Sequence, residues 1–171
     1  MAIPDFMDNY HLPPGEHACT LDEAKTKFAS CTDMRRQVWE CFESLMDRLR
    51  HLNITPSIVL VDGSFVTGRK LPEDVDFACL IEPNKVRDAL NNSINEHDKS
   101  GILLLLNPNN QCAVRDMFGA HALVVDSQFG LDHWSKYFRC GGANGLRDID
   151  PKRDPLWVVK PKEKGILKII L

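Results

Sequence analysis

The longest periodic stretch of this chain places apolar residues every three or four positions: Met34, Val38, Phe42, Leu45 and Leu49, widened by Trp39 and Met46. That spacing predicts a helix with one buried stripe. Thr32 or Asp33 supplies its cap, and Arg48, Arg50 and then Asn53 mark its end. Upstream, Thr20-Leu21-Asp22-Glu23 has the form of a capping box opening a short helix to about Ala29. Before it, Pro4, Pro13, Pro14 and Gly15 predict an irregular arm over residues 1–19.

After the long helix the pattern shifts to short apolar runs. Ser57 to Val61 after Pro56, Val75 to Ile81, and Ala120 to Asp126 read as three strands. Pro83-Asn84 opens a helix over about Lys85 to Asn95, with Val86, Leu90 and Ile94 inward. Ile102 to Leu106 fits either a buried strand or a turn of helix, and Pro108-Asn109-Asn110 breaks the chain after it. Gln111 to Phe118 forms a short helix leading through Gly119 into the third strand. Leu131 to Phe138 forms another, with Trp134 and Phe138 on one side. A polar, Gly-rich loop is expected from Cys140 to Pro155. Leu156 to Val159 and Ile166 to Leu171 are strand-like, the last pairing with the sheet edge. The whole is an α+β (α/β-like) chain, a small mixed β-sheet packed against helices, read as one domain over 1–171 with a C-terminal extension over 140–171.

Composition changes this picture little. The 171 residues, 43% hydrophobic and 26% charged, suit a globular domain with a sizeable core. Net charge is −3, so no overall basic field invites nucleic acid. From Arg147 onward seven Lys/Arg face four Asp/Glu, while the rest carries fourteen against twenty, which a solvated, charge-mixed tail explains. The six cysteines, at 19, 31, 41, 79, 112 and 140, show no paired spacing and read as reduced thiols in a cytoplasmic protein. No run is long enough to cross a membrane or to act as a leader. A zinc site from Cys112 and His121 finds no support in the spacing.

The chemistry concentrates between the first two strands. Val61-Asp62-Gly63-Ser64 ends the first, and after nine intervening residues comes Asp74-Val75-Asp76 at the start of the second. Residues i and i+2 of a strand share a face, so Asp74 and Asp76 present two carboxylates side by side. Such a pair repels unless a cation lies between, and Mg2+ takes oxygen ligands of this kind while keeping positions for substrate phosphates. Gly63 permits close backbone approach, and Ser64 opens a short helix whose N–H groups suit a phosphate.

An apolar strand, Gly-Ser, a gap of about ten residues, and Asp-x-Asp between apolar residues resembles the DNA-polymerase-beta nucleotidyltransferase superfamily. More widely, Leu12-Pro13-Pro14-Gly15, Gly63-Ser64-Phe65-Val66-Thr67 and Lys164-Gly165-Ile166 look like an uncharacterised group of small bacterial proteins assigned to that superfamily. The resemblance implies a nucleotidyltransferase fold and two-metal chemistry with Mg2+ or Mn2+. Asp74 and Asp76 would be the metal ligands. Ser64 and the Gly63 backbone would hold the outer phosphates, and Arg69 and Lys70 would neutralise phosphate charge.

The superfamily carries a third carboxylate on the third strand. A long helical connection between strands two and three favours a parallel crossover, which sets the start of strand three beside Asp74 and Asp76. Asp126 then lies roughly 16 Å beyond His121 at ~3.3 Å per residue. That is too far to share metals about 4 Å apart. His121, between Ala120 and Ala122, stands where the acid is expected. It serves as general base or metal ligand, or the site is degenerate, or it is a structural strand histidine. His11, His17, His51, His97 and His133 read as surface or capping groups, and Asp116 as solvent-facing. The expectation is a nucleotidyltransferase moving a nucleoside monophosphate from an NTP onto a hydroxyl of a protein, an RNA end or a small molecule. The alternatives are a non-catalytic nucleotide-binding or sensing module, or a partner protein resembling the minimal nucleotidyltransferases of toxin–antitoxin systems. Trp134, Tyr137 and Phe138 suit core packing better than a partner surface.

Overall fold

The computed structural model describes residues 3–93, 95–141 and 162–171. Among the described residues, six helices and a five-stranded mixed sheet make up an α+β fold. The elements in order are β1 (Gly15–Cys19), α1 (Leu21–Ala24, continued by a wider turn over Lys25–Ala29), α2 (Asp33–His51), β2 (Ile58–Asp62), β3 (Val75–Leu80), α3 (Pro83–Asn92), α4 (Glu96–Leu106), α5 (Gln111–Phe118), β4 (Ala120–Val125), α6 (Gln128–Cys140) and β5 (Gly165–Ile170). Sheet order is β1-β5-β2-β3-β4. β2 runs antiparallel to both β3 and β5, whereas β1 is parallel to β5 and β3 to β4.

Alternation along the strands divides the sheet cleanly. Val59, Val61, Val75, Phe77, Cys79, Ala120, Ala122, Leu167 and Ile169 face the main core, where α2 buries Val38, Trp39, Phe42, Leu45, Met46 and Leu49. Phe42 meets Phe77 edge-on at 5.0 Å between ring centroids. Each fully buried side chain of this size contributes about 1.5–3 kcal/mol, so α2 and the sheet hold each other. The opposite face packs Leu60, Ala78, Leu80, Leu123 and Ile166 against Leu131 and Phe138 of α6.

Caps follow the sequence. Thr20 and Glu23 form the reciprocal capping box, and the Thr32 hydroxyl accepts from the Arg35 N–H at 3.2 Å. The connection from β3 to β4 is parallel, as its length requires.

Three expectations need correction, and one open alternative is resolved. Residues 15–19, expected to be irregular, form β1: a short strand with Gly15 at φ +123° finds its partner only 150 residues later. The C-terminal strand is not an edge strand; β5 lies between β1 and β2 because β1 covers its far side. Ile102 to Leu106 belongs to helix α4, whose cap is the Asn95 side chain accepting from Asp98 N–H at 2.7 Å. The α2 stripe begins at Arg35 rather than Met34, which is exposed. Ile94, most of the 140–155 loop and the strand-like 156–159 lie outside the described residues, although Cys140 itself ends α6.

Of the histidines read as surface or capping groups, His11 is buried. Its Nδ1 lies 2.8 Å from Asp8 Oδ2, and the Asp8 carboxylate also accepts the N–H groups of Tyr10 and His11. This knot shapes the N-terminal arm, which then touches two places near the Gly-Ser turn. Tyr10 O accepts the Gly68 N–H at 2.8 Å, and Leu12 O accepts the Gly165 N–H at 3.0 Å. A side chain at Gly68 would meet Asn9 O at 2.6 Å. All six cysteines are free, and burial pushes the Cys79 thiol up to about 12. No helix among the described residues is long and apolar enough to cross a membrane.

Candidate functional site

The end of β2, the start of β3 and the start of β4 meet at one margin of the sheet. Register sets Asp62 opposite Asp76, and Asp76 opposite His121. In-register neighbours point to the same side. The row Asp62–Asp76–His121 therefore continues the α6 face past Leu60, Ala78 and Leu123, beyond the patch that α6 covers. Asp74, two residues before Asp76, lies on this face at the strand entrance.

Each acid has a different partner. Asp62 is buried, with the Lys164 Nζ 2.5 Å from its Oδ1. Burial pushes its carboxyl above the usual range, and the Asp76 charge adds to this against the pull of Lys164 and the Gly63 N–H. Asp74 is buried too, with Arg115 Nε 2.6 Å from its Oδ2. Its pKa is also raised, by burial first and the Asp76 charge second, with Arg115 and His121 opposing. Asp76 differs. Its Oδ1 lies 3.0 Å from His121 Nδ1, and about a third of each side chain is exposed (32% and 31%). Among the described residues, the fixed cations Lys164 and Arg115 each hold a buried acid, while the open acid has only an imidazole.

The placement of these groups follows from local structure. α5 ends at Gly119 in the left-handed conformation and passes directly into β4. Its last turn, carrying Arg115, thus lands at the start of the neighbouring β3. Lys164 immediately precedes β5, and its N–H donates to Arg139 O at the end of α6.

Gly63 (φ +77°, ψ −167°) occupies a region that is essentially glycine-only. An ideal Cβ there would lie 2.1 Å from Asp76 Oδ2. The glycine therefore makes room for the Asp76 carboxylate, a role different from the expected approach to a ligand. Gly63→Ala should lose roughly 1–3 kcal/mol for backbone strain, and more for displacing Asp76. Urea unfolding measures this, and a change below 0.5 kcal/mol, within about the scatter of ordinary surface substitutions, would refute the close approach.

Ser64 opens the expected short helix, a single 3-10 turn over residues 64–66 that is too short to carry a helix dipole. Phe65 and Val66 are sunk in the core, and the Thr67 hydroxyl donates to Ser64 O at 2.7 Å. The turn rests on Arg35. Buried on α2, its guanidinium donates to the carbonyls of Phe28, Phe65 and Arg69 and lies over the Phe65 ring at 4.9 Å.

Residues 4–170 match a family described as "Family of unknown function (DUF6932)". The chain belongs to this family. No curated protein and no solved structure matches it.

In this DUF6932 member the structure brings Asp74, Asp76 and His121 together at one sheet margin. Gly63 lies against Asp76, and Ser64 follows it in the turn. Arg69 and Lys70 lie in the connection leading to β3, with Lys70 exposed. Asp126 falls just past the opposite end of β4, and Asp116 is exposed on α5. Sequence reasoning missed Asp62, Arg115, Lys164 and Arg35. Asp62 ends an apolar run, and Lys164 precedes another; that was the available signal. Nothing local marked Arg115 or Arg35.

Two adjacent carboxylates suit a hard divalent cation that takes its remaining ligands from water and phosphate. Among the described residues no group of three or more His, Cys, Asp or Glu is arranged to hold a metal by itself. Asp74 and Asp76 are the pair that could hold such a cation.

Proposed function

We propose that this chain is a metal-dependent nucleotidyltransferase, transferring a nucleoside monophosphate from an NTP to a hydroxyl of a protein, an RNA end or a small molecule. One observation carries the reading: Asp76, the half-open acid of the row, has a histidine for its partner and stands beside a second carboxylate, Asp74. Asp74 and Asp76 would hold Mg2+ or Mn2+, which when bound supplies charge neutralisation at the triphosphate and activation of the attacking oxygen.

The chain's own groups supply the rest. With Asp76 accepting the Nδ1–H of His121, the remaining ring nitrogen is Nε2. His121 Nε2 takes the proton of the acceptor hydroxyl as that oxygen bonds to the α-phosphorus. The bond from the α-phosphorus to the bridging oxygen breaks, and pyrophosphate leaves. Ser64 and the Gly63 backbone flank this point from the turn after β2.

The test is incubation of the full chain with each α-labelled NTP and Mg2+ or Mn2+, with thermal stabilisation read in parallel. Label should transfer to an acceptor or to the protein itself, and Asp76→Asn should abolish it. His121→Ala should slow transfer by about 10²–10⁴-fold, the usual share of a general base. A second reading rests on the ion pair to Arg115, which already neutralises Asp74: a non-catalytic nucleotide-binding or antitoxin-like partner protein. Stabilisation by an NTP without label transfer would favour it, and no response to any NTP with either metal would remove the enzyme reading.

A further inference from the structure

Of the cations that touch the site, Arg115 is the one positioned to change partners. Lys164 is locked, with 9% of its side chain exposed against an equally buried Asp62. Arg35 is enclosed and spends its guanidinium on three backbone carbonyls. Arg115 instead leaves 48% of its side chain in solvent, while the carboxylate it pairs with is 10% exposed. Its contact to Asp74 is made through Nε at 2.6 Å, the nitrogen nearest the stem, and among the described residues its guanidinium has no other side-chain partner. A guanidinium presents five N–H donors in a planar fork that matches phosphate oxygens two at a time.

We propose that Arg115 is an exchangeable counter-ion and a polyphosphate-binding residue of this site. It neutralises Asp74 until a divalent cation takes that carboxylate, and its guanidinium then turns to the phosphates that arrive with the cation. The proposal rests on the nucleotidyltransferase reading and adds a residue to it. Physically, one cation cannot be replaced by another at Asp74 unless the first has somewhere favourable to go. The exposed end of α5, one turn from β4, leaves the Arg115 fork free to swing without disturbing the core.

The consequence is a pair of effects with opposite signs. Without the Arg115 charge, the repulsion between Asp74 and Asp76 is offset less, so a bare metal ion should bind better. Without the guanidinium fork, the metal–polyphosphate complex should bind worse. The measurement uses the full chain and two probes: Mn2+ alone, followed by the spin-resonance signal of the free ion, and inorganic tripolyphosphate with Mg2+, followed by calorimetry. Tripolyphosphate carries no base or acceptor, so the experiment reads binding and not turnover.

Arg115→Gln should bind Mn2+ about three- to tenfold tighter and Mg2+–tripolyphosphate about tenfold weaker, the scale of a lost charge-assisted pair of hydrogen bonds. Arg115→Lys keeps the charge and loses the fork, so Mn2+ affinity should stay near wild type while tripolyphosphate weakens; it also serves if the glutamine variant folds poorly. Wild-type binding of both probes with Arg115→Gln shifting both affinities the same way, or neither, overturns the role of Arg115 and leaves the reading standing. Failure of the wild type to bind either probe overturns both.

Discussion

Arg35→Met should lower the unfolding free energy by about 3–5 kcal/mol, because two buried carbonyls and a half-buried one lose their donor at once, and a buried one costs roughly 1–3 kcal/mol when left unpaired. The side chain lies on α2, yet its three acceptors belong to Phe28, Phe65 and Arg69. It therefore ties α1's trailing turn, the Gly-Ser turn and the approach to β3 to one helix. Methionine fills much of the same volume, so the loss reports hydrogen bonding rather than a cavity. For a chain of this length the midpoint of thermal unfolding should fall by about 10 °C. Arg35→Lys should recover only part of this, since an ammonium on a single stem does not reach three divergent carbonyls. Trypsin should also cut faster at Arg69 and Lys70 in the variant. A variant within 1 kcal/mol of wild type, less than one unpaired carbonyl costs, would mean that the freed carbonyls find water and that Arg35 is no clamp.

The second large effect is expected at Lys164. Lys164→Met should cost about 3–5 kcal/mol, because it leaves the buried Asp62 carboxylate either charged without a partner or forced to take up a proton. Asp62→Asn should also destabilise, by stranding the buried ammonium. The double variant removes both charges, and its loss should fall short of the sum of the singles by about 1–3 kcal/mol. The physical reason is that the pair gains little over an apolar pair, while half a pair is costly. Additive losses would show that the 2.5 Å contact is not an energetic unit.

The candidate site was partly legible beforehand. Asp74 and Asp76 announced themselves through i, i+2 spacing in a strand context, and the parallel crossover put His121 beside Asp76 rather than Asp126. Both arguments use only the period of a strand and the reach of a connection, which hold before any packing is known. Arg115, Lys164 and Asp62 were not legible in the same way. Arg115 and Lys164 come from the last turn of a helix and the approach to a strand far along the chain, and their contacts depend on the sheet order β5-β2-β3-β4. The antiparallel register of β2 and β3 places Asp62 across from Asp76.

The fold divides along the same line. The sequence by itself determined the α2 stripe, the capping box at Thr20 and the cap at Thr32, the strand runs and the Gly-Ser/Asp-x-Asp spacing, because each is a local preference or a fixed repeat of the backbone. Tertiary structure alone decided that residues 15–19 are a strand, that β5 is interior, and that Arg35 is buried while Met34 is exposed. It also decided which cation answers each acid. Those outcomes rest on contacts between residues tens to more than a hundred positions apart, whose energies exist only once the sheet has closed around them.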